Sequence, residues 1–314
     1  RREMMGRFLL GRCRQAVPVL FGVTLITFLL THVALGDPAR AMMGQRADPE
    51  MVARIRAEYG LDKPLWSRYP LYMGKLLVGD LGYSYRQGRP VSHVVAERLP
   101  ATVRLAVAAM MVAVILGIAA GTIAAMRHNT MWDLLMMTIS LLGISVPVFW
   151  LGMMLILFFA VWLGWLPISG YGDGALKHLI LPALTLGALQ AGYIARMTRS
   201  ALLEVLRQEY VRTARAKGLK ERVVILKHGL RNGILPVLTL VGIGLGDLLV
   251  GAPLTEIVFG WPGLGRLLVT AVGNRDLPVV LGSTLLFALI YLGANLLVDL
   301  AYAFVDPRVR LTEG

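Results

Sequence analysis

Apolar residues in this chain come in blocks long enough to cross a bilayer, and that single feature excludes most folds. A membrane-spanning helix needs roughly 20 consecutive, mostly apolar residues. Windows of that kind fall at about 15–35, 102–126, 133–163, 179–198, 234–252 and 280–303. With 56% hydrophobic and only 16% charged residues, the 314-residue chain has too little polar surface to stay in water. The expected fold class is all-α: a polytopic membrane protein with about six transmembrane helices.

The placement of positive charge sets the expected orientation. Residues 1–14 carry five Arg against Glu3, and residues 196–231 carry ten Lys/Arg against Glu204, Glu209 and Glu221. These balances, +4 and +7, make eleven of the thirteen net positive charges, and the positive-inside rule puts both segments in the cytoplasm. Six spans then return the C-terminus to the cytoplasm and leave the loops at about 36–101, 164–178 and 253–279 outside. The first of these has ten Lys/Arg against seven Asp/Glu, but exceeds the length over which the rule discriminates.

The basic total does not indicate nucleic acid, because the charge follows topology and no basic-aromatic platform or soluble module is present. No small-x-small cleavage site precedes the Gly36-Asp37-Pro38 turn, so the first span reads as a retained anchor. Cys13, the one cysteine, lies beside the membrane and has no internal partner; it is either a lipidation site or an incidental thiol.

Two helical patterns follow the first span. Asp48-Pro49-Glu50 starts one that sets Met51, Val52, Ile55 and Tyr59 on a face and stops at Gly60; the other, from Pro64, places Trp66, Tyr69, Met73 and Leu76 or Leu77 together. Such faces suit the membrane interface, a neighbouring protein or the chain's own helix ends. The expected domains are 1–101, an anchor helix with an extracytoplasmic loop, and 102–314, a core with a cytoplasmic loop at 199–233.

Within that inner loop, Glu209 to Lys217 has acid early and base late, as a helix dipole prefers, and Gly218 stands where a left-handed residue would end the helix. Ala214 and Ala216 are small enough for close approach by a partner. A second run, Lys220 to Arg231, spaces Val223, Leu226 and Leu230 as a helix face, and Asn232-Gly233 breaks it before Pro236. The loop reads either as a docking element or as a lipid-facing amphipathic hairpin.

Catalytic chemistry is not expected on this chain. There is no G-x-x-x-x-G-K-[ST] loop, and Gly74-Lys75 is followed by Leu76, so ATP would be bound elsewhere. No H-E-x-x-H occurs; His32, His93, His128, His178 and His228 fall near span ends or in loops, and Ser169 has no evident base. Ionisable groups within spans are few. Asp247 lies among Gly242, Gly244, Gly246 and Gly251 and reads as a pathway residue or an interhelical hydrogen-bond partner. Gln190, Tyr193 and Ser145, with Ser140, are further pathway candidates; Asn295 and Asp299 read as helix fasteners, and Arg104 as a snorkelling residue at the outer interface.

A series of short strings runs nearly end to end: GDP at 36–38, YGLDKPL at 59–65, GDLGYS at 79–84, RLPAT at 98–102, SVPVFWLG at 145–152, WLP at 165–167, ARAKG at 214–218, HGLRN at 228–232, FGWPGLGRL at 259–267, NRDLP at 274–278 and DPR at 306–308. In order and spacing they resemble the inner-membrane permease subunits of bacterial binding-protein-dependent ABC importers, of the peptide, nickel and glutathione class. The resemblance implies a type I importer permease fold in the bacterial cytoplasmic membrane. It also implies a homologous second permease, two cytoplasmic ATP-binding subunits carrying ATP and Mg, and an extracytoplasmic solute-binding protein, with membrane lipid as surroundings and no cofactor or metal on this chain.

In that class a coupling helix docks on the ATPase through a signature that begins Glu-Ala-Ala and has a Gly six residues after the Glu. Those places fall here on Arg212, Thr213, Ala214 and Gly218; Arg212 replaces the acid and Thr213 the first Ala. The outer segment Glu256 to Pro278, with Phe259, Trp261 and Pro262, is too apolar and Gly-rich for a solvated loop. It reads as an external gate or as a structural plug. The implied function is ATP-driven import of short peptides or related solutes. A self-sufficient ion-coupled secondary transporter is the alternative, and it would need paired broken helices and buried acid-base pairs.

Overall fold

The computed structural model describes residues 2–34, 48–59, 62–250 and 252–305. The Gly36-Asp37-Pro38 turn, the stop at Gly60, Gly251 and the string at 306–308 lie outside the described residues, as do the side chains of Cys13 and Asp299.

Helices α1 (Arg2–Ala34), α2 (Pro49–Tyr59) and α3 (Leu65–Leu77) precede a small hairpin of strands β1 (Tyr83–Ser84) and β2 (Arg89–Pro90), antiparallel, with Tyr83 opposite Pro90. The long helix α4 (Val91–Met126) follows, then α5 (Met131–Ser145), α6 (Val148–Leu155) with a π-helical extension at Ile156–Trp162, and α7 (Leu176–Val205). The inner loop forms α8 (Glu209–Ala216) and α9 (Glu221–Gly233), and α10 (Leu235–Val250), α11 (Pro253–Val258), α12 (Leu264–Gly273) and α13 (Leu277–Val305) complete the chain.

By length and composition α4, α7 and Leu277–Val298 of α13 can each cross a membrane alone, while α1 contributes the shorter apolar stretch Arg14–Leu30. Two of the expected spans are bent pairs. What reads in sequence as one span over 133–163 is α5 and α6 meeting at 109°. The cause is Pro147, which has no N–H to donate and pushes Val146 out of the helical region to φ −79, ψ 130. The last bond of α5 runs from Val146 N to Leu142 O, and the first of α6 from Leu151 N to Pro147 O. Likewise α9 and α10 meet at 55°. The run ends at Gly233, at the Asn232-Gly233 break expected from the sequence, and the bend follows directly.

The residues form two compact units, each drawn from two stretches: Arg1–Thr102 with Pro262–Gly293, and Val103–Trp261 with Ala294–Gly314. The first unit therefore includes a late segment that a division at 101 does not anticipate. Its hairpin is fixed to that segment: the Ser84 hydroxyl donates to Asp276 Oδ2 at 2.5 Å, and the Thr102 hydroxyl accepts from Leu264 N at 2.8 Å. Asp276 also accepts from Val279 N, so its side chain caps the start of α13.

In the second unit α7 is the most buried of the candidate spans and packs on α5, α6 and α10. Close approach depends on glycine. A Cβ at Gly192 would stand 2.5 Å from Ser140 O, and one at Gly187 2.7 Å from Ala109 O. At the end of α7, Arg199 grips the buried Asp133 of α5 with two hydrogen bonds, Nε to Oδ1 at 2.7 Å and Nη2 to Oδ2 at 2.8 Å. Asn129 N and His128 Nδ1 complete the set around Asp133 Oδ2.

Two outcomes follow. Arg199→Met leaves a buried carboxylate without its counter-charge, which costs about 3 kcal/mol; adding Asp133→Asn restores most of it, as thermal unfolding of the detergent-solubilised protein will show. Burial raises the Asp276 carboxyl above its ordinary range, against the opposing pull of Ser84, Val279 N and Arg86. An acid raised in the folded state stabilises it most when protonated, so this contribution fades as pH climbs from the ordinary carboxylate value through the raised one. Asp276→Asn should flatten that part of the unfolding profile while keeping the cap.

Candidate functional site

The inner loop is a small folded body. Gln208 turns the chain out of α7 in extended conformation, and α8 then runs for two turns with Glu209 at its start and Arg215 at its end. An eight-residue helix is not stable by itself. It is held by a core of its own: Val211 and Ala214 pack with Val224, and Val205 and Leu206 close over them. Gly218 takes φ +76, as a left-handed helix end requires, and a Cβ there would meet nothing within 4 Å. Substitution at Gly218 is therefore resisted by the backbone and not by crowding.

Polar contacts tie α8 to α9. Arg215 makes two hydrogen bonds to Glu221, at 2.7 and 3.2 Å, and Asn232 Nδ2 donates to the Tyr210 hydroxyl at 2.9 Å and to His228 O at 3.1 Å. Neither pairing was anticipated in the sequence, although the ARAKG string at 214–218 contains Arg215 and the HGLRN string at 228–232 contains Asn232. Their pairing depends on a fold-back that no periodicity records.

The expected coupling residues divide between two faces. Arg212 and Thr213 are exposed, and Gly218 is exposed at the helix end. Ala214 is 5% exposed and faces the chain's own core, so it is a packing residue in this structure and not a contact offered to a partner. The outward face of α8 consists of Glu209, Arg212, Thr213 and Ala216, continued by Lys217. Its Glu209–Arg212 pair, 3.2 Å apart, is open to solvent and adds little stability. The second run also differs: Val224 and Ile225 are buried while Val223 and Leu226 are exposed, and Val224–Leu230 is π-helical.

Of the pathway candidates, Gln190 is buried between α7 and α10, and a Cβ at Gly244 would lie 2.9 Å from its Oε1. Tyr193, one turn on, is exposed, and so is Ser145 at the end of α5. Asp247 is exposed on α10 and makes no hydrogen bond or ion pair among the described residues. The glycines of α10 point elsewhere: Gly244 and Gly246 are buried, and a Cβ at Gly242 would stand 2.6 Å from Val298. The buried glycines here serve packing, while Asp247 faces out together with the apolar Leu235, Leu238 and Ile243.

Phe259 and Trp261, expected at an external gate, are buried, and Pro262 is half-buried. Phe259 O accepts from Gly170 N at 2.8 Å, its ring lies over Gly152, and Trp261 meets Tyr171 edge-on at 4.8 Å. The Arg104 guanidinium donates to Gly174 O, in the loop that also holds Gly170 and Tyr171. No group of three His, Cys, Asp or Glu suited to a metal occurs among the described residues.

Comparison with known proteins settles the family. Residues 117–311 match the model for "Binding-protein-dependent transport system inner membrane component", and residues 5–106 match that for the N-terminal part of such components. The chain belongs to this family. It is 43% identical to the dipeptide transport system permease protein DppB of Alkalihalophilus pseudofirmus, over 94% of this chain and 96% of that one. It is 44% identical to the di/tripeptide permease DppB of Pseudomonas aeruginosa, over 96% and 98%. With the glutathione permease GsiC of Escherichia coli K12 the identity is 46%, over 98% and 99%. Among solved structures, the MetNI methionine ABC transporter in inward-facing form shares the fold at TM-score 0.53 and 18% identity, over 67% of this chain and 96% of that one. The multi-pass permease of an ABC transporter is thus the architecture of this chain.

Gly218→Val should strain the helix end by about 1–2 kcal/mol through its backbone alone. Transport-stimulated ATP hydrolysis should fall at unchanged membrane insertion, whereas Gly218→Asn, which tolerates that conformation, should keep most of it. Equal activity of the two variants would remove the helix end from coupling.

Proposed function

We propose that the chain pairs with a homologous permease to enclose one translocation pathway for short peptides or related small solutes. Two cytoplasmic ATPases, carrying ATP and Mg, drive it between inward- and outward-open states, and an extracytoplasmic binding protein delivers cargo. The observation that carries the cargo class is likeness over nearly the whole chain to permeases named for dipeptides, di/tripeptides and glutathione. The inner loop supports the coupling role. Its α8 is anchored from beneath by Val211 and Ala214 and leaves an exposed polar face, with Glu209, Arg212, Thr213 and Lys217, to meet a partner. With that loop in the cytoplasm, both termini lie there too.

The permease pair reconstituted with its ATPases and binding protein should take up labelled di- and tripeptides, and the same assay run with glutathione and chelated nickel assigns the cargo. Uptake driven by an ion gradient without the ATPases would instead establish the secondary-transporter reading.

Asp247 is the residue of this chain we place on the pathway. A bare carboxylate facing lipid within a span is costly, so an exposed, unpaired one belongs against water or the second permease. Asp247→Asn should change uptake or cargo preference severalfold with assembly and melting temperature kept. Loss of assembly with unchanged uptake per complex would make it an interface residue instead.

A further inference from the structure

The third helix carries an apolar face that its place in an extracytoplasmic loop does not explain. Along α3 the exposed residues are Leu65, Trp66, Pro70, Leu71, Gly74 and Leu77, followed by Val78, and none of them is charged. Trp66, Leu77 and Val78 are each 80% exposed or more. A contiguous face of this kind in water is a liability in a soluble loop.

The opposite edge of α3 shows where the helix lies. Tyr69 stacks edge-on with Phe21 at 5.6 Å, and Tyr72 lies on Phe28 at 5.7 Å. The Tyr69 and Thr24 hydroxyls are 2.9 Å apart. Phe21, Thr24 and Phe28 all belong to the apolar stretch Arg14–Leu30 of α1. That stretch is about 26 Å long at 1.5 Å per residue, less than the roughly 30 Å hydrocarbon core. Whichever way α1 points, its inner positions sit at hydrocarbon depth. A helix seated on Phe21 and Thr24 shares that depth, and its outward face continues the exposed apolar flank of α1 at Val17, Ile26 and Leu30.

We propose that α3 is a membrane-embedded, re-entrant helix whose Trp66–Leu71–Leu77 face packs against lipid acyl chains beside α1. Arg68 and Lys75 lie off that face and are half-buried, and Arg68 Nε donates to Lys63 O at the start of the helix. The proposal rests on membrane insertion of α1 and holds for any cargo or energy source.

Cys13 is the sole cysteine, so Cys13→Ser gives a background for single labels. Leu71→Cys and Leu77→Cys, with Gln87→Cys on the exposed hairpin as reference, would carry an environment-sensitive fluorophore. The assembled complex would be placed in phosphatidylethanolamine–phosphatidylglycerol vesicles bearing acyl-chain nitroxides. The expected result is quenching at 71 and 77 severalfold above that at 87, with little quenching by aqueous iodide. Iodide quenching equal to that at 87 would place the face in water. Shielding from both quenchers would mean that protein covers it, and either result overturns the proposal.

Discussion

Backbone-to-backbone approach along α7 is the constraint on which the second unit depends. Lipid tails are as apolar as leucine, so helices in a bilayer gain little from hiding apolar surface against each other. They associate through close packing, and here glycines supply it on several sides: Gly117 and Gly121 of α4 face Ile194 and Ala195, Gly143 of α5 faces Ala188, and Gly244 of α10 faces Gln190. Contacts this short leave no room for sliding. The Arg199–Asp133 pair then fixes register at the end where α7 runs into the inner loop. A helix held this way is packed on α4, α5 and α10 together.

The inner loop translates that rigidity into a surface. Because α8 is short, its persistence depends on burying Val211 and Ala214 over Val224 and the last residues following α7. The Arg215–Glu221 and Tyr210–Asn232 contacts prevent α8 from rolling on that small core. The exposed face of α8 is thereby backed by Val205 and Leu206 at the end of α7. The small residue at Ala214 is needed by the chain itself, because a larger side chain there would lift α8 off its support.

The sequence revealed what the bilayer dominates and missed what long-range pairing decides. Apolar blocks locate the helices because hydrocarbon penalises every unsatisfied polar group, and the glycine at 218 was readable from its place after a short helix. The bend at Pro147 was also written in the residues, but a window average over 133–163 passes across it. The π-turn at Val224–Leu230 was not legible, since a change of one residue in hydrogen-bond spacing leaves no compositional trace; nor was the burial of Val224 and Ile225 in place of Val223 and Leu226. Asp133 and Arg199 stand 66 positions apart, beyond the reach of any helical pattern.

Three carboxylates show how environment assigns their roles. Asp133 is locked by a guanidinium and a backbone N–H, and its oxygens are spoken for. Asp276 is buried beneath the Ser84 hydroxyl and caps a helix. Asp247 has neither constraint, and lies on a helix whose glycines have already used the faces turned toward this chain. An unlocked charge within an apolar span gains solvation only from an aqueous passage or a facing polar surface. The packing of α10 thus determines which way its acid points, and the close fit of Gly242 and Gly244 is what keeps Asp247 directed outward from the chain.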